Sequence, residues 1–252
     1  MTGIIQSEYL KYKKTFARRL IIFGPLFFIL LALLQKLFIP EDFIKTWQLL
    51  LGQVYNWWSV LFIPMGTALF AALVQVQEER AGNYRNLHTR DISLPGLWAA
   101  RVLVMAAHTG LATLVLIAST VISGLITADG NIPWFKITAG GLAMWVSSMD
   151  LIPLQLWVAA KKGAFASMAV GFLGLAAGVM AAPESYWIFV PWSRPTRLMC
   201  PIIGVHPNGV LLEPGDPLLN PSVILPGIAA AIVSFTIFTA LTAIWFNRRE
   251  VW

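Results

Sequence analysis

Long runs of apolar residues separated by short polar stretches dominate the pattern of this 252-residue chain. A helix needs about 20 consecutive, mostly apolar residues to cross a membrane, and six runs come close to or exceed that length. We therefore predict an all-α membrane protein with six transmembrane helices. The predicted spans are 20–39, 54–76, 97–126, 137–160, 165–182 and 223–246.

Two features set individual spans apart. The third span, at about 30 residues, would be roughly 45 Å long as a helix. This exceeds the hydrocarbon thickness of about 30 Å, so the span should tilt, kink or project from the membrane. Pro64, Pro153 and Pro226 lie in spans two, four and six, and each is expected to bend its helix or mark a break.

Composition agrees with a membrane protein. Hydrophobic residues make up 58% of the chain and charged residues 12%, whereas a soluble domain carries about 25% charged residues. The net charge is +6, but the basic residues cluster between apolar runs, where they act as topology signals. We therefore expect no nucleic-acid partner. Cys200, the single cysteine, cannot form a disulfide within the chain.

The distribution of Lys and Arg predicts the orientation. With a cytoplasmic N-terminus, 13 of the 18 basic residues lie on the inner face, as the positive-inside rule requires. Both termini are then cytoplasmic, residues 40–53 and 183–222 are extracellular, and residues 77–96 form the large inner loop. We found no linker or internal repeat, so residues 1–252 are interpreted as one membrane domain.

The leader, residues 1–19, carries Ile5, Tyr9, Tyr12 and Phe16 at intervals of four, three and four residues. This spacing places them on one face of a helix. A short helix lying along the cytoplasmic interface, with its lysines near anionic headgroups, fits this pattern. A solvated basic leader is the simpler alternative.

The inner loop has two interpretations. Its mixed charges, with Tyr84 and Leu87 three residues apart, fit a short helical element that docks a partner. A polar hairpin whose end is capped by Asp91 or Ser93 fits equally well.

Two polar residues lie within predicted spans. Asp150 and His108 are each roughly 15 Å from the cytoplasmic end of their helix, so a polar pair between them is geometrically possible. A carboxylate inside a membrane requires a partner, water or a proton. The pair either fixes helix packing only or forms a transport-linked site.

The outer segment contains an aromatic, proline-rich stretch at 186–195 that is too short to span. It is either an aromatic belt at the interface or a lip that contacts an amphiphilic ligand in the outer leaflet. The candidate contact residues are Trp187, Pro191, Trp192, Arg194 and Arg197.

Motifs for chemistry are missing from the sequence. It contains no phosphate-binding loop, no H-E-x-x-H, no metal-ligand spacing and no nucleophile elbow. We therefore expect no catalytic residues, no metal site and no cofactor bound by this chain, and we do not expect an enzyme.

Three passages together resemble the permease subunits of type 2 ABC exporters, and more narrowly the lantibiotic-immunity and bacitracin-resistance group. The first is the leader 7–15 with Gly24-Pro25 behind it. The second is the inner-loop stretch 78–87 leading to Arg101. The third is the outer stretch 191–198, followed by 206–209. The six-span layout also matches.

The resemblance implies roles for these segments. The leader would be an interfacial elbow helix, and short re-entrant helices would lie outside, between spans five and six. The inner loop would carry a coupling helix that docks on an ATPase. The implied docking residues are Glu78, Glu79, Arg80, Asn83, Tyr84 and Leu87.

The resemblance also implies a function and partners. The chain would be a permease in the bacterial cytoplasmic membrane, paired with an ATP-binding-cassette homodimer that binds ATP and Mg²⁺. A second permease, a paralogue in preference to an identical copy, and membrane lipid would complete the assembly. Its substrate would be an amphiphilic antimicrobial peptide of the lantibiotic or bacteriocin type, so export would confer immunity or resistance.

Two alternatives stay open. The chain could be an ion-coupled secondary transporter that uses Asp150 and His108, or a membrane sensor or scaffold that transports nothing.

Overall fold

The computed structural model describes residues 2–13, 15–38, 46–82 and 93–248, and these residues are mostly helical. The α-helices in these ranges are α1 (Thr2–Lys11), α2 (Phe16–Phe38), α3 (Trp47–Trp57), α4 (Ile63–Arg80), α5 (Leu94–Thr127), α6 (Trp134–Ser147), α7 (Leu151–Lys162), α8 (Ala164–Ala181), α9 (Ser193–Ile203) and α10 (Ile224–Asn247). Short 3₁₀ turns at Trp187–Phe189, Pro217–Leu219 and Pro221–Val223 lie in the segment before α10.

The candidate membrane spans agree with the sequence pattern. In the ranges given above, five helical stretches are long and apolar enough to cross a membrane, and the bent pair α6–α7 makes a sixth if it is counted as one span. Spans one, three, five and six begin within four residues of their predicted starts. The protein is therefore an all-helical, multi-pass membrane protein.

The second span begins earlier than predicted. Residues 47–53 were assigned to an outer loop, but α3 starts at Trp47 and runs through a π-helical turn (Trp58–Phe62) into α4. The Thr46 side chain caps α3 by accepting a hydrogen bond from the Leu49 N–H at 3.3 Å. Gly52 and Gln53 suggested a loop in the sequence, but Gln53 accepts a hydrogen bond from Gln35 on α2 and Gly52 faces Leu211.

The three prolines have different consequences. Pro153 lies next to the break between α6 and α7, where the two helices meet at a bend of 42°. Pro64 follows the π-helical turn, which accommodates it without ending the helix. Pro226 sits in the first turn of α10, where the missing N–H costs no helical hydrogen bond, so α10 is not broken there.

The helices pack as two groups. Helix α2 lies along α5, whereas α4 packs on α8 and α7. Helix α9 lies against α6, α8 and α3, so the outer segment contributes a helix to the core. Gly171 on α8 allows close approach of α4, because an added Cβ would lie 2.5 Å from the Ala68 Cβ. Gly174 and Gly178 instead make room for Trp192.

The leader forms a helix separate from α2. A turn follows α1, and Thr15 Oγ1 accepts a hydrogen bond from the Arg18 N–H at the start of α2. Of the predicted apolar face, Tyr12 is buried inside the protein, whereas Ile5, Tyr9 and Phe16 are exposed. The position of α1 along a membrane interface stays a prediction.

Candidate functional site: two buried ion clusters

Four charged side chains meet where α1 packs against the ends of α4 and α5 that the distribution of basic residues predicts to be cytoplasmic. Glu8 and Lys11 lie one turn apart on α1, Glu78 is near the end of α4, and Arg101 is in the second turn of α5. Lys11 Nζ lies 2.6 Å from Glu8 Oε1 and also contacts Glu78 Oε1. Arg101 Nη2 lies 3.0 Å from Glu78 Oε1, and Arg101 Nε lies 3.2 Å from Glu8 Oε2. Each carboxylate is therefore paired with both cations. We call this the cytoplasmic cluster.

The charges of the cytoplasmic cluster depend on one another, because most of them are buried. The side chains of Glu8 and Arg101 are 1% and 2% exposed, and that of Glu78 is 9% exposed. A charge in such surroundings is costly unless its partners are present, so removing one member leaves the others uncompensated. An uncharged side chain adds a further contact between α4 and α1, because Gln77 Nε2 donates a hydrogen bond to the Lys11 carbonyl at 3.1 Å. The cluster thus fixes α1 to α4 and α5.

The titration of Glu8 reflects these neighbours. Burial alone would raise the pKa of its carboxyl, but Arg101 and then Lys11 favour the charged form, and the pKa is lowered below its usual 4.5. Glu8 is therefore ionised at neutral pH and stabilises the docked position of α1 there.

The structure separates the residues to which the resemblance assigned ATPase docking. Glu78 points into the cytoplasmic cluster, where its ion pairs hold the end of α4 in place. Glu79 and Arg80 are exposed, and Glu79 accepts a hydrogen bond from Gln75 at 3.0 Å. Asn83, Tyr84 and Leu87 lie outside the described residues.

A second buried ion pair joins the break in the fourth span to α9. Arg194 Nη1 contacts Asp150 Oδ2, and both residues are almost fully buried. The same guanidinium donates to Ser234 Oγ on α10 at 3.1 Å and to the Ile188 carbonyl at 2.9 Å. We call this the core ion pair. Because Asp150 sits between the 14 residues of α6 and the 12 of α7, it lies near the middle of that span.

The hypothesis of an Asp150–His108 pair is therefore corrected. Asp150 is paired with Arg194, whereas His108 Nδ1 lies 2.7 Å from the carbonyl of Val104 on its own helix. The His108 ring stacks on Tyr12 with a centroid distance of 4.2 Å. Helix spacing along the chain could not show which way each side chain points. The ion-coupled alternative would therefore have to use Asp150 together with Arg194 and without His108.

Most of the predicted outer contact residues are buried inside the protein. Trp187, Arg194 and Arg197 are buried, and Arg197 donates to the Leu218 carbonyl at 2.9 Å while lying over the Trp187 ring. Pro191 and Trp192 are half-buried, and Trp192 packs against Gly174 and Gly178. The exposed aromatic side chains of this stretch are Tyr186 and Phe189, at 52% and 81%.

Sequence reasoning missed the partner of each buried charge. Arg101 was counted among the topology signals, although its place within an apolar run indicated that it needed a carboxylate. Glu8 gave a weaker signal, because a single acidic residue in a basic leader is unremarkable. Within the described residues, no group of three or more His, Cys, Asp and Glu side chains could hold a metal ion.

The family comparison fits this architecture. The family described as ABC-2 family transporter protein matches residues 4–178, which is more than half of the chain. The chain therefore belongs to the ABC-2 transporter family and is a membrane permease component. A comparison with curated proteins and one with solved structures found no significant match.

We expect the cytoplasmic cluster to make stability depend on pH. A lowered folded-state pKa means that the contribution of Glu8 is complete above its usual 4.5 and is lost as the pH falls through the lowered value. Thermal unfolding of the purified protein should therefore show a melting temperature that drops in this acidic range. Glu8→Gln should lower the melting temperature at neutral pH and flatten its acid dependence.

Glu79→Gln is the matched control for this experiment, because the Glu79 carboxylate is exposed and accepts a hydrogen bond from the neutral Gln75 side chain. It should leave the pH profile unchanged. A Glu8→Gln protein with the same acid dependence as the unmodified chain would contradict the assignment.

The core ion pair predicts strong coupling between its members. Asp150→Asn and Arg194→Gln should each lower the free energy of unfolding by about 3–5 kcal/mol, because each leaves one buried charge unpaired. The double variant should be less destabilised than the sum of the two, as measured by unfolding in detergent. Strictly additive effects would show that the two side chains do not depend on each other.

Proposed function

We propose that this chain is the permease subunit of an ATP-driven exporter that removes amphiphilic antimicrobial peptides from the bacterial cytoplasmic membrane. Such export would confer immunity or resistance on the cell. The observation that carries the proposal is the membership of the ABC-2 family, together with the cytoplasmic cluster at the end of α4. The resemblance of the leader, inner loop and outer stretch to the lantibiotic-immunity group supports the peptide substrate.

The partner ATPase acts on the inner loop. In this proposal Glu79 and Arg80, which are exposed at the end of α4, contact the ATPase together with Asn83, Tyr84 and Leu87. The cytoplasmic cluster then joins the two ends of the loop, because Glu78 precedes it and Arg101 follows it. A push on the loop would move α1, α4 and α5 as one unit.

The outer segment receives the substrate. Tyr186 and Phe189 expose large apolar surfaces beside Trp187, Pro191 and Trp192, which suits an amphiphilic peptide at the outer interface. The core ion pair supports a re-entrant position for α9, since Arg194 at its start reaches a carboxylate near the middle of the fourth span. Movement of the helices around Asp150 would then be passed to the outer aromatic residues.

The assembly contains further subunits. A single six-span chain provides one half of an export pathway, so we propose a second permease, a paralogue in preference to an identical copy. An ATPase homodimer binds ATP and Mg²⁺ below the pair. Both termini of the chain lie in the cytoplasm, where the leader forms an elbow helix along the lipid surface.

The docking proposal is tested at the exposed Glu79 and at Tyr84 of the inner loop. Glu79→Ala combined with Tyr84→Ala should reduce co-purification of the ATPase and peptide export, and Glu79→Ala by itself should change the free energy of unfolding by no more than about 0.5 kcal/mol. The measurement is ATPase capture on the tagged permease, followed by peptide release from vesicles. Ser185→Ala, at the exposed outer end, is the control. Normal capture and export by the double variant would refute the docking assignment.

A further inference from the structure

An apolar furrow lies between α2 and α4, where the two helix groups diverge. Because α2 packs along α5 while α4 packs on α7 and α8, the seam between α2 and α4 is left open. A cavity of about 380 Å³ occupies it, within the range of about 300–1,000 Å³ typical of ligand sites. Its walls include Leu20, Gly24, Met65, Gly66 and Leu69, and Ile152 of α7 contributes to its lining.

The lining offers little to a polar ligand. Two threonines of α5 face the cavity, but Thr109 Oγ1 donates to the Ala106 carbonyl at 2.9 Å and Thr113 Oγ1 donates to the Thr109 carbonyl at 3.1 Å. The Trp145 indole N–H also bonds to the Ala106 carbonyl at 3.2 Å. Since these donors are already satisfied on the protein, the part of an occupant held here must be hydrocarbon.

The furrow has one closed end and one open end. Aromatic rings close the outer end, where Phe28 of α2 meets Trp58 and Phe62 of the π-helical turn at centroid distances of 6.3 and 5.4 Å. Towards the cytoplasmic end, a second cleft of about 320 Å³ follows, lined by Thr15, Ala17, Leu73, Val76 and Arg80.

The two cavities belong to one stripe of α4. The lining residues Met65, Leu69, Leu73, Val76 and Arg80 follow at intervals of four, four, three and four, which keeps them on the same helical face. A chain entering from the cytoplasmic side would therefore pass Arg80 first and reach the aromatic rings last.

The open end is basic. Arg80 lines it, and Lys13, Arg18 and Arg19 are exposed nearby on the leader and the start of α2. Among the described residues, two of the three acidic groups near this opening are paired with cations. Glu8 and Glu78 belong to the cytoplasmic cluster, and Glu79 bonds to Gln75. The charge at the opening therefore suits a phosphate group.

We propose that this furrow binds an anionic phospholipid of the inner leaflet, with an acyl chain between α2 and α4 and its phosphate at Arg80. The guanidinium has five N–H donors, so it can contact a phosphate while also facing a protein partner. The assignment to the inner leaflet follows from the distribution of basic residues, which predicts that this end of α4 faces the cytoplasm. Only this chain forms the site, which shares Arg80 with the proposed ATPase contact.

Two glycines allow the furrow to be filled without disturbing helix packing. An added Cβ at Gly24 or at Gly66 meets no atom within 4 Å. Gly66→Leu and Gly24→Leu should therefore fold, since leucine also favours a helix over glycine. Ala177→Leu, at an exposed position of α8, adds the same kind of bulk outside the furrow and is the control.

The experiment measures lipid binding by native mass spectrometry of the purified full chain, with dioleoylphosphatidylglycerol and dioleoylphosphatidylcholine as probes. We expect phosphatidylglycerol to bind more tightly than phosphatidylcholine. Each furrow variant should weaken the binding of phosphatidylglycerol about tenfold or more. Ala177→Leu should bind it normally. Arg80→Gln should remove the preference between the two lipids while retaining the binding of both.

Three outcomes would overturn the proposal or part of it. Equal binding of phosphatidylglycerol by both furrow variants and by Ala177→Leu would show that the furrow holds no acyl chain. If the furrow variants instead shift the chain from dimer to monomer with lipid binding unchanged, the furrow is an interface between copies. An unmodified chain that binds the two lipids equally would exclude the role of Arg80.

Discussion

The compensation of buried charge is the constraint on which the arrangement of this protein depends. A carboxylate or guanidinium placed among apolar helices must be paired, because the membrane interior offers no bulk water to replace the lost hydration. In the cytoplasmic cluster, Glu8, Lys11, Glu78 and Arg101 satisfy this requirement jointly. As a result, α1 is fixed to α4 and α5, which follow much later in the sequence.

The same requirement operates in the middle of the bundle. Asp150 occupies the break between α6 and α7, and the charge that compensates it comes from Arg194 in the outer segment. Helix α9 is thereby tied to the core through a contact that spacing along the chain does not reveal. The two ion clusters lie at different depths, so changes at the cytoplasmic ends of α4 and α5 can reach the outer segment only through the helices between them.

The sequence predicted the fold better than the site. Apolar runs of 18 or more residues located the spans, and Pro153 marked the break in the fourth, because these features depend on local chemistry. The start of α3 was missed, since Gly52 and Gln53 look like loop residues until Leu211 and Gln35 are placed beside them. Partners such as Glu8 and Arg101 are 93 residues apart, so only the folded arrangement reveals their contact.

In the function proposed above, the cytoplasmic cluster carries the motion of a partner ATPase into the membrane helices. The direct test is peptide release by the reconstituted complex that carries Glu8→Gln and Arg101→Gln together, which removes one charge of each sign and leaves Lys11 with Glu78. We predict that the ATPase still binds and hydrolyses ATP, while peptide release falls about tenfold or more. Release at the unmodified rate by this variant would contradict the account.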